Sequence, residues 1–202
     1  MMQKLLIATS NPAKLAEYSA QLSDLPLQLV SLKDLGLESI EETGETFREN
    51  SLLKARTYFK QSGLPTLADD GGLTIESLGG EPGVFSRRWL GGKESSDEEL
   101  IAYTLKRLQG KPLEEREARL RLASAFIAPD GSEHVIETSI EGHIAEEASP
   151  RRREGFPFRA LLIVAPSGKY YDELTEEEHE AVNHRVKAIS MLKPIIRDTL
   201  CP

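Results

Sequence analysis

The chain has 202 residues, 39% hydrophobic and 29% charged, which suffices for a sizeable core in one large domain or two intimate lobes and gives no sign of disorder. Its formal net charge of −8 sets long-range electrostatics against a nucleic-acid polymer as partner, while a small polyanion remains open if cations are gathered locally. The opening apolar run Leu5-Leu6-Ile7-Ala8 is too short for a signal-peptide core or for a bilayer span of about 20 residues, so a cytoplasmic protein is expected. The single Cys201 can neither staple the chain nor build a zinc site.

In chain order, Lys4 to Thr9 reads as a short buried strand. Asn11-Pro12 then supplies an N-cap and a proline at the first position of a helix from about Ala13 to Leu22. A second strand near Gln28 to Ser31 leads into the polar segment Glu38 to Gly44. Thr46 and Glu49 form a capping box for a helix with an apolar stripe at Phe47, Leu53 and Phe59, stopping at Gly63. Thr66 to Ala68 is a brief strand ending in Asp69-Asp70-Gly71-Gly72, and Leu78 to Gly83 is loop. Ser96 and Glu99 cap a further helix running to Gly110. Ala118 to Ile127 and His134 to Ile144, joined by Pro129-Asp130-Gly131, form a hairpin, and Ala160 to Ala165 is an apolar strand. Thr175 and Glu178 repeat the capping box before a helical C-terminal region holding Asn183-His184-Arg185, in which Pro194 should kink or interrupt the last helix. Strands mixed with helices, plus one long hairpin, give an α/β fold with a mixed sheet. No repeat or linker divides the chain, so residues 1–202 are expected to form a single domain.

Four polar constellations stand out. Thr9-Ser10-Asn11 with Lys14, between a strand and a helix N-terminus, suits a phosphate cradle, or simply a well-capped helix. Glu41-Glu42-Thr43-Gly44, with Glu49, Asn50 and Lys54 on the following helix, is either a surface of dipole-complementing charges or a ridge presented to a ligand. Asp69-Asp70 at a strand end can be an ordinary turn, or one carboxylate can hold a metal or take a proton from water while the other fixes the loop. Asn183-His184-Arg185 offers donors to a base or phosphate at a helix start, whereas Arg151-Arg152-Arg153 reads as a solvated loop.

Taken together, Thr-Ser-Asn-x-x-Lys, Glu-Glu-Thr-Gly-x-Thr-Phe-x-Glu-Asn-Ser-x-x-Lys-Ala, Ala-Asp-Asp-Gly-Gly-Leu, Leu-Gly-Gly-x-Pro-Gly-Val-Phe-Ser and Asn-His-Arg resemble the inosine-triphosphate pyrophosphatase family. The resemblance is close from Lys4 to Trp89 and looser from Ser149 to Ala188. It implies an elongated mixed β-sheet flanked by helices in two lobes with a central substrate cleft, in a homodimer. It implies Mg²⁺-dependent hydrolysis of ITP, dITP or XTP to the monophosphate and pyrophosphate, with no nucleic-acid polymer or membrane as partner. By position, Thr9, Ser10, Asn11, Lys14 and Lys54 would grip the triphosphate. Glu41 would bind Mg²⁺, with Glu42 nearby, and Asp70 would be the catalytic carboxylate that also meets the metal. Gly71 would contact substrate, Phe156 would flank the base, and His184 with Arg185 would contact the base edge.

The chain departs from the family's pattern around the base. Where Gly-Phe-Gly-Tyr/Trp-Asp-Pro is typical, it has Gly155-Phe156-Pro157-Phe158-Arg159-Ala160, so a donor-only guanidinium replaces a carboxylate. His179 stands where the family usually has a substrate-binding lysine. Arg159 is expected to pair with Glu154 or a neighbouring acid instead of with the base. Two other readings follow from these changes: a related pyrophosphatase with altered base selectivity, and a nucleotide-binding protein that has lost turnover.

Overall fold

The computed structural model describes residues 2–91, 94–165 and 167–201. Seven strands form one mixed sheet in the order β2-β1-β3-β4-β5-β6-β7. They are β1 (Gln3–Ile7), β2 (Leu27–Ser31), β3 (Thr66–Ile75), β4 (Glu117–Ile127), β5 (Glu133–Ile144), β6 (Leu162–Val164) and β7 (Lys169–Tyr170). The helices are α1 (Pro12–Gln21), α2 (Phe47–Ser62), α3 (Asp97–Arg107), α4 (Glu176–Val182) and α5 (His184–Leu200). Strand β1 runs parallel to β2, with Leu5 opposite Leu29, and parallel to β3, with Leu6 opposite Thr66. Strands β5, β6 and β7 are antiparallel.

The chain folds as two compact units, one of residues 1–70, 122–138 and 185–202, the other of residues 71–121 and 139–184. In the first unit the period of two along β1 explains why its sequence reads as continuously apolar. Leu5 and Ile7 enter a core with Tyr18 and Leu22 of α1 and Leu192 and Ile196 of α5, whereas Leu6 and Ala8 enter a second core with Ala55 and Tyr58 of α2. Both faces are thus covered by helices, which leaves strand ends and adjoining loops for polar side chains. In the second unit a single core gathers Leu73, Ile75, Leu100, Ile101, Phe158, Leu161 and Tyr171. Among the described residues no helix is long and apolar enough to cross a membrane.

Three expectations about the elements change. Strand β3 does not stop at Ala68 but continues through Asp69-Asp70-Gly71-Gly72 to Ile75, because the turn preference of Asp and Gly is overridden by the partners described below. The apolar strand expected at Ala160 to Ala165 contracts to Leu162–Val164, since Pro157–Ala160 winds into a 3-10 turn. Helix α5 runs on through Pro194. Proline there removes one backbone donor, but Ile189, Leu192, Ile196 and Leu200 on either side of it are buried in the core and hold the helix in place.

Candidate active site

Adjacent residues of a strand project to opposite faces, so lengthening β3 through Asp69 and Asp70 separates two carboxylates that a turn would have crowded. Asp69, 2% exposed, meets Lys14 of α1 and Arg185 of α5. Lys14 Nζ donates to its Oδ1 at 2.8 Å and Arg185 Nε donates to its Oδ2 at 2.9 Å. Arg185 also donates through Nη1 to Glu17 Oε2 at 2.6 Å and lies over the Tyr18 ring. Lys14 is fixed at its base because Asn11 Oδ1 caps the backbone N–H groups of Ala13 and Lys14. Thr9 Oγ1 in turn accepts from Asn11 N, and Ser10 is exposed just before the cap.

Asp70 faces α2 and the loop before it. Asn50 Nδ2 donates to Asp70 Oδ2 at 3.0 Å, while Asn50 Oδ1 accepts from Gly44 N at 2.7 Å. A Cβ on Gly44 would stand 2.7 Å from that same Oδ1, so glycine is what lets the loop close on Asn50. Lys54 Nζ lies 3.9 Å from Asp70 Oδ1 and donates to Glu42 Oε1 at 2.7 Å. Of the two loop acids the structure therefore brings Glu42 to Lys54, while Glu41 is exposed. Two residues on, Gly72 lacks the Cβ that would collide with Ser86 Oγ, and that hydroxyl accepts from Leu73 N at 3.0 Å.

The two aspartates differ sharply in proton affinity. Burial raises the Asp69 carboxyl, but Lys14, Arg185 and Lys54 outweigh it and hold the group well below the usual carboxylate range. Burial also raises Asp70, and with Lys54 opposing and Glu42 adding like charge, its pKa stands at about 6. Lys54 is pulled down by burial and pushed back further by Asp70, Glu42 and Asp69, ending raised. The pair thus comprises one anchor ionised across the neutral range and one carboxyl able to exchange a proton near neutrality.

The remaining expected residues belong to the second unit. Phe156 carries the Arg159 guanidinium 3.7 Å from its ring centroid, Arg159 also lies 5.0 Å from the Tyr171 centroid, and Tyr171 stacks on His179 at 4.8 Å. His184 is buried at the first position of α5. Gly71 follows Asp70 on β3. Arg159 was expected beside Glu154 or a neighbouring acid. Arg159 acts on Asp172, which burial raises to about 6 against the opposing pull of Arg159, Arg153 and Arg152.

The Ham1 family profile matches residues 5–195 of this sequence. The chain belongs to the Ham1 family. A dITP/XTP pyrophosphatase of Yersinia pseudotuberculosis serotype I is 40% identical over 199 residues, 98% of this chain and 100% of that one. The structure of a HAM1 protein from Coxiella burnetii superposes with a TM-score of 0.85 at 35% identity, covering 98% of this chain and 100% of the other. The Mycobacterium abscessus protein described as nucleoside-triphosphatase / dITP/XTP pyrophosphatase gives 0.77 at 38% identity, covering 95% and 100%. The α/β fold with a mixed sheet, expected from the resemblance, is that of these Ham1 structures.

In this Ham1-family chain no group of three or more His, Cys, Asp or Glu side chains among the described residues is arranged to hold a metal. A cation that arrives with phosphate oxygens needs no such cage, because Mg²⁺ is commonly held by one or two carboxylates plus the substrate. Asp70, buried, raised in pKa and backed by Glu42, is an oxygen donor whose charge a hard divalent ion would stabilise. The residues present fit such an ion. Sequence reasoning passed over Glu17, although it lies three positions after Lys14 and so on the same helix face. It also passed over Tyr171 and Asp172, for which no local pattern exists.

Asp172 supports a pH prediction. Its folded pKa of about 6 exceeds its ordinary value of 3.8, so its contribution to stability is full below about 4 and is lost as pH rises through 6. Asp172→Asn is expected to remove that part of the slope. Thermal melts of both proteins across this window test it, and parallel curves would refute it.

Proposed function

We propose that the chain hydrolyses non-canonical purine nucleoside triphosphates (ITP, dITP and XTP) at the α–β anhydride, releasing the nucleoside monophosphate and pyrophosphate in the cytoplasm. The observation that carries this reading is the pair of adjacent carboxylates on β3, each served by a lysine from a different helix, one lowered and the other raised in proton affinity. The pyrophosphatase relatives support the substrate class.

The roles follow from the chemistry of each group. Lys14, whose ammonium has three donors and spends one on Asp69, keeps donors for phosphate oxygens, and so does Lys54 beside Glu42. Thr9, Ser10 and Asn11 line the approach to the α1 N-terminus, where the helix dipole favours anions. Asp70 accepts a hydrogen bond from the attacking water and takes its proton, for which an affinity near neutrality is suited. A Mg²⁺ ion would be held by Asp70 and Glu41, with Glu42 nearby, and would neutralise charge on the phosphate oxygens. Phe156, His179, His184 and Arg185 are assigned to the nucleoside end, and Gly71 to a substrate contact. Because Arg185 already spends two donors on Asp69 and Glu17, it also stiffens the anchor under Lys14. The whole chain is taken as one catalytic domain working in a homodimer.

The test is product analysis across a nucleotide panel with Mg²⁺ and with chelator. ITP, dITP and XTP are expected to yield pyrophosphate with Mg²⁺ only. Release of orthophosphate, or tight nucleotide binding without turnover, would replace this reading with that of a different phosphohydrolase or of a binding protein.

A further inference from the structure

Among the described residues Arg159 is the largest side chain withdrawn from solvent, at 1% exposure. Taking a guanidinium out of water is costly, and an apolar side chain of similar volume would fill such a place more cheaply. Its position has a local cause. The turn Pro157–Ala160 is a 3-10 helix with Phe156 at its N-cap, and Arg159 N donates to Phe156 O at 3.2 Å. In that geometry side chains three apart eclipse one another, which brings the guanidinium to 3.7 Å from the Phe156 centroid. The same guanidinium lies 5.0 Å from the ring of Tyr171, itself fully buried and stacked on His179. Phe156, by contrast, remains half-buried.

We infer that Arg159 is a positioning residue for nucleotide recognition: packed against Phe156 and braced by Tyr171, it fixes the half-exposed Phe156 ring as a flat platform on which a purine base stacks. The inference rests on the nucleotide-hydrolase reading for the identity of the ligand. A phenyl ring held only by neighbouring aliphatic groups can tilt, and each tilt lost on binding must be compensated by the stacking energy. A cation held against the ring restricts that tilt before the ligand arrives. Arg159 therefore acts on the base through Phe156.

Calorimetric affinities for inosine monophosphate and for inorganic tripolyphosphate, in the wild type, Arg159→Met, Arg159→Lys, Phe156→Leu and the double variant Arg159→Met/Phe156→Leu, test this without requiring turnover. Arg159→Met is expected to weaken inosine monophosphate about tenfold and to change tripolyphosphate by less than about twofold. Arg159→Lys should recover part of the loss, and the double variant should bind no worse than Phe156→Leu alone. Unchanged monophosphate affinity, equal loss for both ligands, or additive effects of the two substitutions would overturn the inference. If Arg159→Met does not fold, Arg159→Lys decides: a weakened affinity that vanishes in the Phe156→Leu background supports the role, and an additive one refutes it. A wild type that binds inosine monophosphate as described but hydrolyses no triphosphate would defeat the proposed activity while leaving this inference standing.

Discussion

Asp70→Asn is expected to lower kcat by about 10²- to 10⁴-fold, the range for loss of a positioned general base, while nucleotide affinity stays close to that of the wild type. The substitution is conservative where the structure is concerned. Asn50 Nδ2, which donates to Asp70 Oδ2, finds the same acceptor in an asparagine oxygen, and Lys54 keeps its bond to Glu42. What disappears is the site that takes up a proton and, with it, the charge of one proposed metal ligand. Stability should not fall at pH 7. A carboxyl whose folded pKa stands at about 6, above 3.8, favours the folded state less once it is ionised, so replacing it by a neutral amide removes a penalty present above that pH. Steady-state rates, nucleotide binding and melting temperature measured on one preparation separate these effects. Turnover within about threefold of the wild type would show that Asp70 is not the base.

The elements that depend on local chemistry could be read from the sequence. Capping boxes at Thr46, Ser96 and Thr175, the Asn11 cap and the hairpin between β4 and β5 all lie where residue patterns place them, because their hydrogen bonds span three or four residues. Asp69 and Asp70 show the limit. Nothing within the sequence Ala-Asp-Asp-Gly-Gly says that Lys14 lies 55 residues away in sequence and Arg185 116 residues away, and without those cations the run reads as a turn. Tertiary ion pairing turns it into the middle of a ten-residue strand. Glu42 was legible only as a neighbour of Glu41, since which of two adjacent loop acids reaches Lys54 depends on the path set by Gly44 and Asn50. Arg159 could be seen to depart from the family pattern, but its seat on Phe156 follows from a 3-10 turn that interrupts an otherwise apolar run.

The same long-range pairing makes Asp69 the position where a one-atom change should cost the most stability. Asp69→Asn removes a charge that Lys14 and Arg185 share, and it leaves Arg185, whose side chain is 3% exposed, still paired with Glu17. Breaking a buried pair by deleting one partner costs about 3–5 kcal/mol. With Glu17 still in place the lower end, about 3 kcal/mol, is expected, equivalent to a fall in Tm of about 6–12 °C for a chain of this size. The sign with pH is fixed by the depressed carboxyl. Its stabilisation is complete above the unfolded value of 3.8 and fades as pH falls toward the folded one, so wild type and variant should converge in acid and stay apart at pH 7. Arg185→Met in the Asp69→Asn background removes the cation that has lost its Asp69 partner and should cost less than the sum of the two single changes, since residues in one ion-pair network do not add. Strict additivity, or a Tm difference at pH 7 below about 2 °C, would mean that Asp69 does not hold Arg185 and Lys14 together and that the anchor assigned to it must be sought elsewhere.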